Sequence, residues 1–97
     1  MKSIFIVYNQ AYNMEVIDSL EKLSCRGFTT WQDVGGRGSV DGEPHLGSHA
    51  WPAMNNAILT IVDDNKVDSI LKFIKEKDEE TPMLGLRAFV WNIESVY

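Results

Sequence analysis

Residues Asn56-Ala57-Ile58-Leu59-Thr60-Ile61-Val62 form a run of aliphatic and β-branched side chains, which predicts a β-strand. Behind this strand, apolar residues recur at the i, i+3, i+4 and i+7 positions that share one side of an α-helix. Asp63 or Asp64 stands where the N-cap of this helix belongs, and Thr81-Pro82 would end it. The apolar positions of the predicted helix are Val67, Ile70, Leu71 and Ile74.

The first half of the chain carries the same patterns in the same order. Residues 2–9 predict a strand. Asn13 is the predicted N-cap of a helix that runs to about Arg26, and Gly27 is its predicted C-terminal stop. The β-branched and aromatic residues 28–34 predict a second strand after this helix.

Residues 84–95 predict a last strand, which completes the order βαβ, long loop, βαβ. That order is typical of the ferredoxin-like α+β fold, βαββαβ, in which a four-stranded antiparallel sheet carries two helices on one face. A doubly wound parallel sheet would need more strands and helices than this chain supplies.

The composition predicts a single domain over residues 1–97. Hydrophobic residues make up 44% of the chain and charged residues 24%, which excludes a largely disordered protein. The net charge of −5 argues against broad contact with nucleic-acid phosphates or an anionic membrane. Because no apolar run is long enough for a spanning helix or a signal-peptide core, we expect no membrane insertion and a cytoplasmic location.

The sequence gives no positive sign of a catalytic site. Ser, His and Asp do not occur in a supporting order, and Cys25 has no neighbouring His. We expect Cys25 to be a small buried apolar residue, and a single cysteine excludes an internal disulfide framework. We therefore expect a protein that is not an enzyme.

Three of the predicted strands are apolar on both faces, although two helices can cover only one face of a sheet. A half-exposed antiparallel strand should alternate apolar and polar residues, and a large exposed apolar face is a liability in a monomer. We therefore expect the second face to pack against other copies of the chain, and chance variation in a small sheet is the alternative. The opposing apolar sets are Ile4, Ile6 and Tyr8 against Phe5 and Val7 in the first strand, Ala57, Leu59 and Ile61 against Ile58 and Val62 in the third, and Leu86, Ala88 and Val90 against Phe89, Trp91 and Ile93 in the last.

The predicted long loop, residues 35–55, contains five of the seven glycines. Loops of this length are uncommon in compact domains and are usually functional or disordered. At its start, glycine backbone N–H groups and the guanidinium of Arg37 could receive an anion. The residues of this start are Gly35, Gly36, Arg37 and Gly38.

The same loop carries both histidines, and two further interpretations of it stay open. His45, His49 and Glu43 have side chains that bind zinc, copper or nickel, although they are equally consistent with polar loop residues or with packing at an interface.

The apolar side chains of the loop could bind a partner protein or anchor the loop to its own sheet. They are Leu46, Trp51 and Met54.

Over essentially its whole length the chain resembles the P-II and P-II-like signalling family. The resemblance rests on the two βαβ halves, on the loop start Val34-Gly35-Gly36-Arg37-Gly38, and on the last strand Arg87-Ala88-Phe89-Val90-Trp91-Asn92-Ile93-Glu94. The last strand is similar to the basic–x–Phe-Val-x-x-Val-Glu strand of the family.

The resemblance implies a homotrimer with inward-facing sheets and an adenine-nucleotide site in each cleft between subunits. It places residues 35–38 near the phosphates, together with Arg87 from the turn before the last strand, where Gly85 is the single glycine. It also implies that the long loop docks on a target protein, such as a membrane transporter.

The loop has no tyrosine for uridylylation, which indicates a P-II-like protein rather than an ammonium-regulating P-II of nitrogen control. No cofactor is expected to be required. We therefore expect a non-enzymatic trimeric regulator with an adenine-nucleotide or other anion site. The alternative is a metal-binding regulator or chaperone of an efflux system that uses a divalent metal held by the loop histidines.

Overall fold

The computed structural model describes residues 1–37, 40, 44–47, 53–82 and 85–97. In the first half, β1 (Lys2–Asn9), α1 (Asn13–Lys22) and β2 (Phe28–Val34) follow one another. In the second half, β3 (Asn55–Val62), α2 (Val67–Glu80) and β4 (Arg87–Asn92) repeat that order. A single 3-10 turn precedes each α-helix, at Gln10–Tyr12 and at Asp64–Lys66.

The four strands form one antiparallel sheet in the order β2-β3-β1-β4. Phe5 in β1 stands opposite Leu59 in β3 and Phe89 in β4, so these three residues share a face. The predicted ferredoxin-like fold is confirmed. Because neighbouring strands run in opposite directions, the end of β2 and the start of β4 lie at the same end of the sheet.

The hydrophobic core lies between the helices and the face of the sheet that carries Ile4, Ile6 and Tyr8, all of which are fully buried. Each fully buried aliphatic side chain stabilises the fold by about 1.5–3 kcal/mol. The helices contribute Leu20 and Ile70 to this layer, and Cys25 is buried in it as predicted. Both helices therefore cover one face, and the opposite face carries exposed aromatic side chains.

Helix α1 ends four residues earlier than predicted, at Lys22, and Gly27 does not stop it. Ser24 adopts a left-handed conformation with φ of 62°. The N–H of Cys25 donates to the carbonyl of Leu20 at 2.8 Å and that of Ser24 to Glu21 at 2.9 Å, which is the Schellman pattern.

The predicted cap of α1 is also wrong in its residue. Asn9 caps the 3-10 turn that leads into the helix, because its side chain accepts a hydrogen bond from the N–H of Ala11 at 3.0 Å. The amide oxygen of Asn13 instead accepts the hydroxyl of Tyr8 and the amide of Asn56. Burial raises the pKa of the Tyr8 phenol, which favours the neutral hydroxyl, and the hydrogen bond with Asn56 opposes this.

The second half follows the prediction closely, although β3 begins one residue earlier than predicted, at Asn55. Asp63 stands at the N-cap of the 3-10 turn but makes no capping bond through its side chain. Strand β4 begins at Arg87 rather than at residue 84, which lies outside the described residues, and it ends at Asn92. Gly85 has φ of 61°, a left-handed conformation that breaks an extended strand. Helix α2 ends before Thr81-Pro82 as predicted.

Within the described part of the chain, none of the helices is both long and apolar enough to cross a membrane.

Candidate functional site

A pocket of about 420 Å³ lies on the face of the sheet that the helices leave open. Its floor is apolar, and the rings of Phe5 and Trp31 meet edge to face with centroids 6.2 Å apart. Such an aromatic pair contributes about 0.5–1.5 kcal/mol beyond its burial and fixes the orientation of both rings. The floor residues are Phe5, Val7, Trp31, Ala57 and Phe89.

The rim of this pocket carries the residues that the sequence marks for ligand binding. Gly35, Gly36 and Arg37 form one side, and Gly85 and Arg87 form the other. The structure therefore brings together both predicted groups, which are about fifty residues apart in sequence. Gly38 lies outside the described residues, so its predicted role stays a prediction.

A β-bulge directs the end of β2 toward the pocket. Trp31 pairs with Ala57 and Val34 with Asn55, so three steps along β2 match two along β3. Asp33 takes φ of 57°, and its N–H donates to the amide oxygen of Asn56 at 3.3 Å. The extra residue turns Val34 onto the open face, because a shift of one residue in a strand reverses the side-chain direction.

The guanidinium of Arg87 is held at the edge of the sheet. Its Nη1 atom lies 3.2 Å from Oδ1 of Asp78 on α2 and donates to the carbonyl of Leu86 at 2.7 Å. Both side chains of the ion pair are partly exposed, so its effect on stability is small, at about 0–1 kcal/mol. Since Arg87 has five N–H donors, the Nε and Nη2 atoms stay available to an anion.

The electrostatic character of the pocket differs from that of the whole chain. The protein carries a net charge of −5. Among the described residues that line the pocket, Arg37 and Arg87 are charged and none is acidic. The combination of two guanidinium groups and an apolar floor suits an anion that carries a flat apolar group.

Two buried side chains, His45 and Asn55, support the rim, and the sequence does not indicate Asn55 as a site residue. His45 is only 5% exposed, and its Nδ1 atom lies 2.6 Å from Oδ1 of Asn55. Asn55 is buried at the start of β3 and lines the pocket, as do Trp31 and Phe5. The sequence motifs do not mark these three lining residues as site residues, although the apolar open face is the signal that could indicate the two aromatic ones.

The predicted metal site is only partly within the described residues. Glu43 and His49 lie outside them, so the proposed use of these residues with His45 stays a prediction. In the part of the chain that the structure describes, no three His, Cys, Asp or Glu side chains lie close enough together to hold a metal ion.

The predicted partner-binding side chains lie in different surroundings. Leu46 is 53% exposed, Met54 is half-buried beside Gly47, and Trp51 lies outside the described residues.

The family model for nitrogen regulatory protein P-II matches residues 1–97 of this chain. No protein with a curated description matches the chain in sequence.

Solved structures share the fold at low sequence identity. CPII, a nitrogen regulatory PII-like protein from Thiomonas intermedia K12 bound to ADP, AMP and bicarbonate, is 19% identical, with a TM-score of 0.77. That match covers 95% of this chain and 84% of the CPII chain. A protein described as a PII-like signaling protein from Thermus thermophilus is 25% identical, with a TM-score of 0.68 and coverage of 95% and 85%. The apo form of CPII is 17% identical, with a TM-score of 0.73 and coverage of 95% and 87%.

The family model spans every residue of the chain, and those solved structures share its overall fold. The chain therefore belongs to the nitrogen regulatory protein P-II family, as the resemblance in its sequence indicates.

Proposed function

We propose that this protein is a trimeric, non-enzymatic signalling protein that binds an adenine nucleotide, or another small anion, in the pocket of the open face. The bound state is passed to a target protein through the 35–55 loop. One observation carries the proposal: five residues marked by the sequence line the same pocket, with an arginine on each side.

The chemistry of the pocket supports a nucleotide as ligand. Arg37 and Arg87 provide charge-assisted donors for phosphate oxygens, and Gly35 and Gly36 leave their backbone open to close approach. The apolar floor supplies a surface on which a flat base can lie. CPII, which shares this fold, binds ADP, AMP and bicarbonate, so a carboxylate-like anion is the second ligand class to test.

The open face supports assembly into a trimer. Phe89 is 57% exposed and Trp91 is 47% exposed, and both stand on the face that the helices leave uncovered. Exposed apolar surface of this kind favours association between copies. The pocket opens on the same face, so neighbouring subunits would add walls to it.

A regulatory role suits the groups around the pocket better than a catalytic one. Among its described lining residues there is no carboxylate, histidine or cysteine that would serve as a general base or nucleophile. Within the described part of the loop, Arg37 lines this pocket and Leu46 is exposed to solvent. Such a loop suits contact with a target, and a membrane transporter is the target class that we propose.

Isothermal titration calorimetry with ATP, ADP, AMP and bicarbonate tests the ligand. We expect micromolar binding of at least one adenine nucleotide, and Arg37→Ala and Arg87→Ala should each weaken it at least tenfold, since a lost charged hydrogen bond costs about 1.5–3 kcal/mol. Arg26→Ala is the matched control, because Arg26 is exposed and does not line the pocket. If none of these ligands binds, the ligand class is wrong.

A metal-dependent role is the second candidate, and one contact favours it. The Nδ1 atom of His45 bonds to Asn55, and metal-binding histidines commonly use one ring nitrogen in this way while the other holds the metal. Titration with zinc or copper should show binding that His45→Ala and His49→Ala abolish. Unchanged affinity in both variants would remove this candidate.

A further inference from the structure

His45 belongs to a loop, yet its side chain is almost completely buried. Its backbone forms an antiparallel pair with Gly36: the N–H of Gly36 donates to the carbonyl of His45 at 2.8 Å, and the N–H of His45 donates to the carbonyl of Gly36 at 2.7 Å. The loop thus returns to its own start at this point. Arg37 follows Gly36 directly, so the position of His45 fixes one side of the pocket rim.

The imidazole of His45 also contacts Asn55, a second residue that lines the pocket. With the amide of Asn55 oriented as it is, Nδ1–H of His45 donates to Oδ1 across 2.6 Å. Asn55 is 2% exposed and pairs with Val34 at the start of β3. Its amide nitrogen also lies 3.4 Å from where a Cβ of Gly36 would stand, so Asn55 contacts both the histidine and the loop start.

The same ring packs against Gly85, a third residue that lines the pocket. A Cβ placed on Gly85 would lie 3.1 Å from Cε1 of His45, so the ring occupies the space that a side chain there would need. Gly85 precedes Arg87 by two residues, and both line the pocket. One imidazole therefore contacts, directly or through Asn55, the segments that carry both arginines.

The geometry points to His45 as a positioning residue that holds three residues lining the pocket, Gly36, Asn55 and Gly85, in fixed positions relative to one another. It does not line the pocket itself and acts through these three neighbours. A ligand that draws the two arginines together stabilises His45 in its buried position. Conversely, a target that displaces the loop at His45 weakens ligand binding, because the coupling between two sites is reciprocal. This inference rests on the proposed function for the identity of the ligand.

Two variants with side-chain amides, His45→Asn and His45→Gln, test the role of the ring nitrogen. In His45→Asn the side-chain amide nitrogen can stand where Nδ1 stands, whereas the longer side chain of His45→Gln places its amide nearer to the position of Nε2. With ADP as the probe in calorimetry, we expect His45→Gln to bind about tenfold more weakly than the unsubstituted protein, as expected for one lost buried hydrogen bond. His45→Asn should stay within about threefold of it. Equal affinity of His45→Gln and the unsubstituted protein, or equal weakening in both variants, would overturn the inference.

Hydrogen exchange in the absence of ligand separates this inference from the proposed function. We expect His45→Gln to speed exchange of the Gly36 amide by about tenfold, with His45→Asn close to the unsubstituted protein at that amide. At Gly85 both variants should speed exchange, because neither keeps the ring carbon that packs there. The amide of Ile6 in the central strand β1 is the control for global unfolding, and its exchange should not change. If the unsubstituted protein fails to bind ADP, the nucleotide proposal fails, and the exchange at Gly36 and Gly85 still decides the inference. Exchange that is unchanged in His45→Gln would overturn it.

Discussion

Gly85→Ala tests how closely the turn before β4 is fitted to the loop. Gly85 has φ of 61°, and a non-glycine residue pays about 1–2 kcal/mol to adopt a left-handed conformation. The added methyl would lie 3.1 Å from Cε1 of His45, and the ring must move to accept it. The ring must give by a few tenths of an ångström, which strains its bond to Asn55 at a cost of about 1 kcal/mol.

One effect has the opposite sign, because alanine restricts the unfolded chain and returns about 0.4–1 kcal/mol. We therefore expect Gly85→Ala to lower the free energy of unfolding by about 2 kcal/mol. For a domain of this size that corresponds to a fall in Tm of about 8–16 °C. Gly27→Ala is the matched control, since no atom lies within 4 Å of its Cβ position. It should leave stability unchanged or slightly raised.

Urea unfolding followed by tryptophan fluorescence measures both variants at one protein concentration, because the proposed association between copies would contribute to apparent stability. A double-mutant cycle with His45→Ala then separates the two costs. In the His45→Ala background the penalty of Gly85→Ala should shrink to the conformational part alone, about 1 kcal/mol. Gly85→Ala as stable as Gly27→Ala, or a penalty that is the same in both backgrounds, would refute the packing of His45 against this turn.

Two further predictions concern the open face and the buried phenol. Phe89→Asp places a charge on the apolar face, so it should convert the proposed trimer to monomers in sedimentation velocity. Met14→Asp, on the exposed side of α1, is the control and should leave the trimer intact. Monomers in the unsubstituted protein would contradict this prediction. Tyr8→Phe should cost about 0.5–1.5 kcal/mol at pH 7 through the lost bond to Asn13, with Tyr97→Phe as control. Burial raises the pKa of Tyr8, so its contribution is complete below about pH 10 and is lost above it; urea unfolding at pH 7–11 should therefore show the two proteins converging, and a constant difference would contradict it.

The strands could be predicted because their residue types leave few alternatives. Residues 2–9 and 28–34 match β1 and β2 at both ends, and β3 differs by one residue. In each case a run of β-branched, aliphatic or aromatic side chains meets residues that favour caps or turns. Local preference and tertiary packing agree there, so pattern alone locates the element.

The helix ends were harder to predict because tertiary contacts decide them. Asn13 has the side chain of a capping residue, but Tyr8 and Asn56 occupy its oxygen, and Asn9 caps the turn instead. Ser24 takes the left-handed position that glycine favours, and the helix ends there rather than at Gly27. Asn56 is 43 residues from Asn13 in sequence, so the sequence carries no local sign that the Asn13 oxygen is occupied.

The candidate site divides in the same way. The grouping of Arg37 with Arg87 follows from topology, since antiparallel strands bring the end of β2 and the start of β4 to one end of the sheet. The contact between His45 and Asn55 depends on the path of the loop and on a bulge at Asp33. A single extra residue in β2 decides which side chains face the pocket, and residue types alone do not encode it.

The pocket and the apolar face share their side chains, which links ligand binding to assembly. Phe5, Trp31 and Phe89 form the floor of the pocket and also stand on the face that we propose to lie between subunits. A change there alters both the packing of copies and the surface under a bound base. Arg87 stands at the rim, tied to Asp78 on its own subunit, so its removal should weaken the ligand and leave the assembly intact. The two substitutions therefore distinguish two kinds of pocket. If the pocket requires the trimer, Phe89→Asp loses both assembly and ligand binding, whereas Arg87→Ala loses only ligand binding. If each subunit completes the pocket alone, the monomers of Phe89→Asp keep part of the affinity for the ligand.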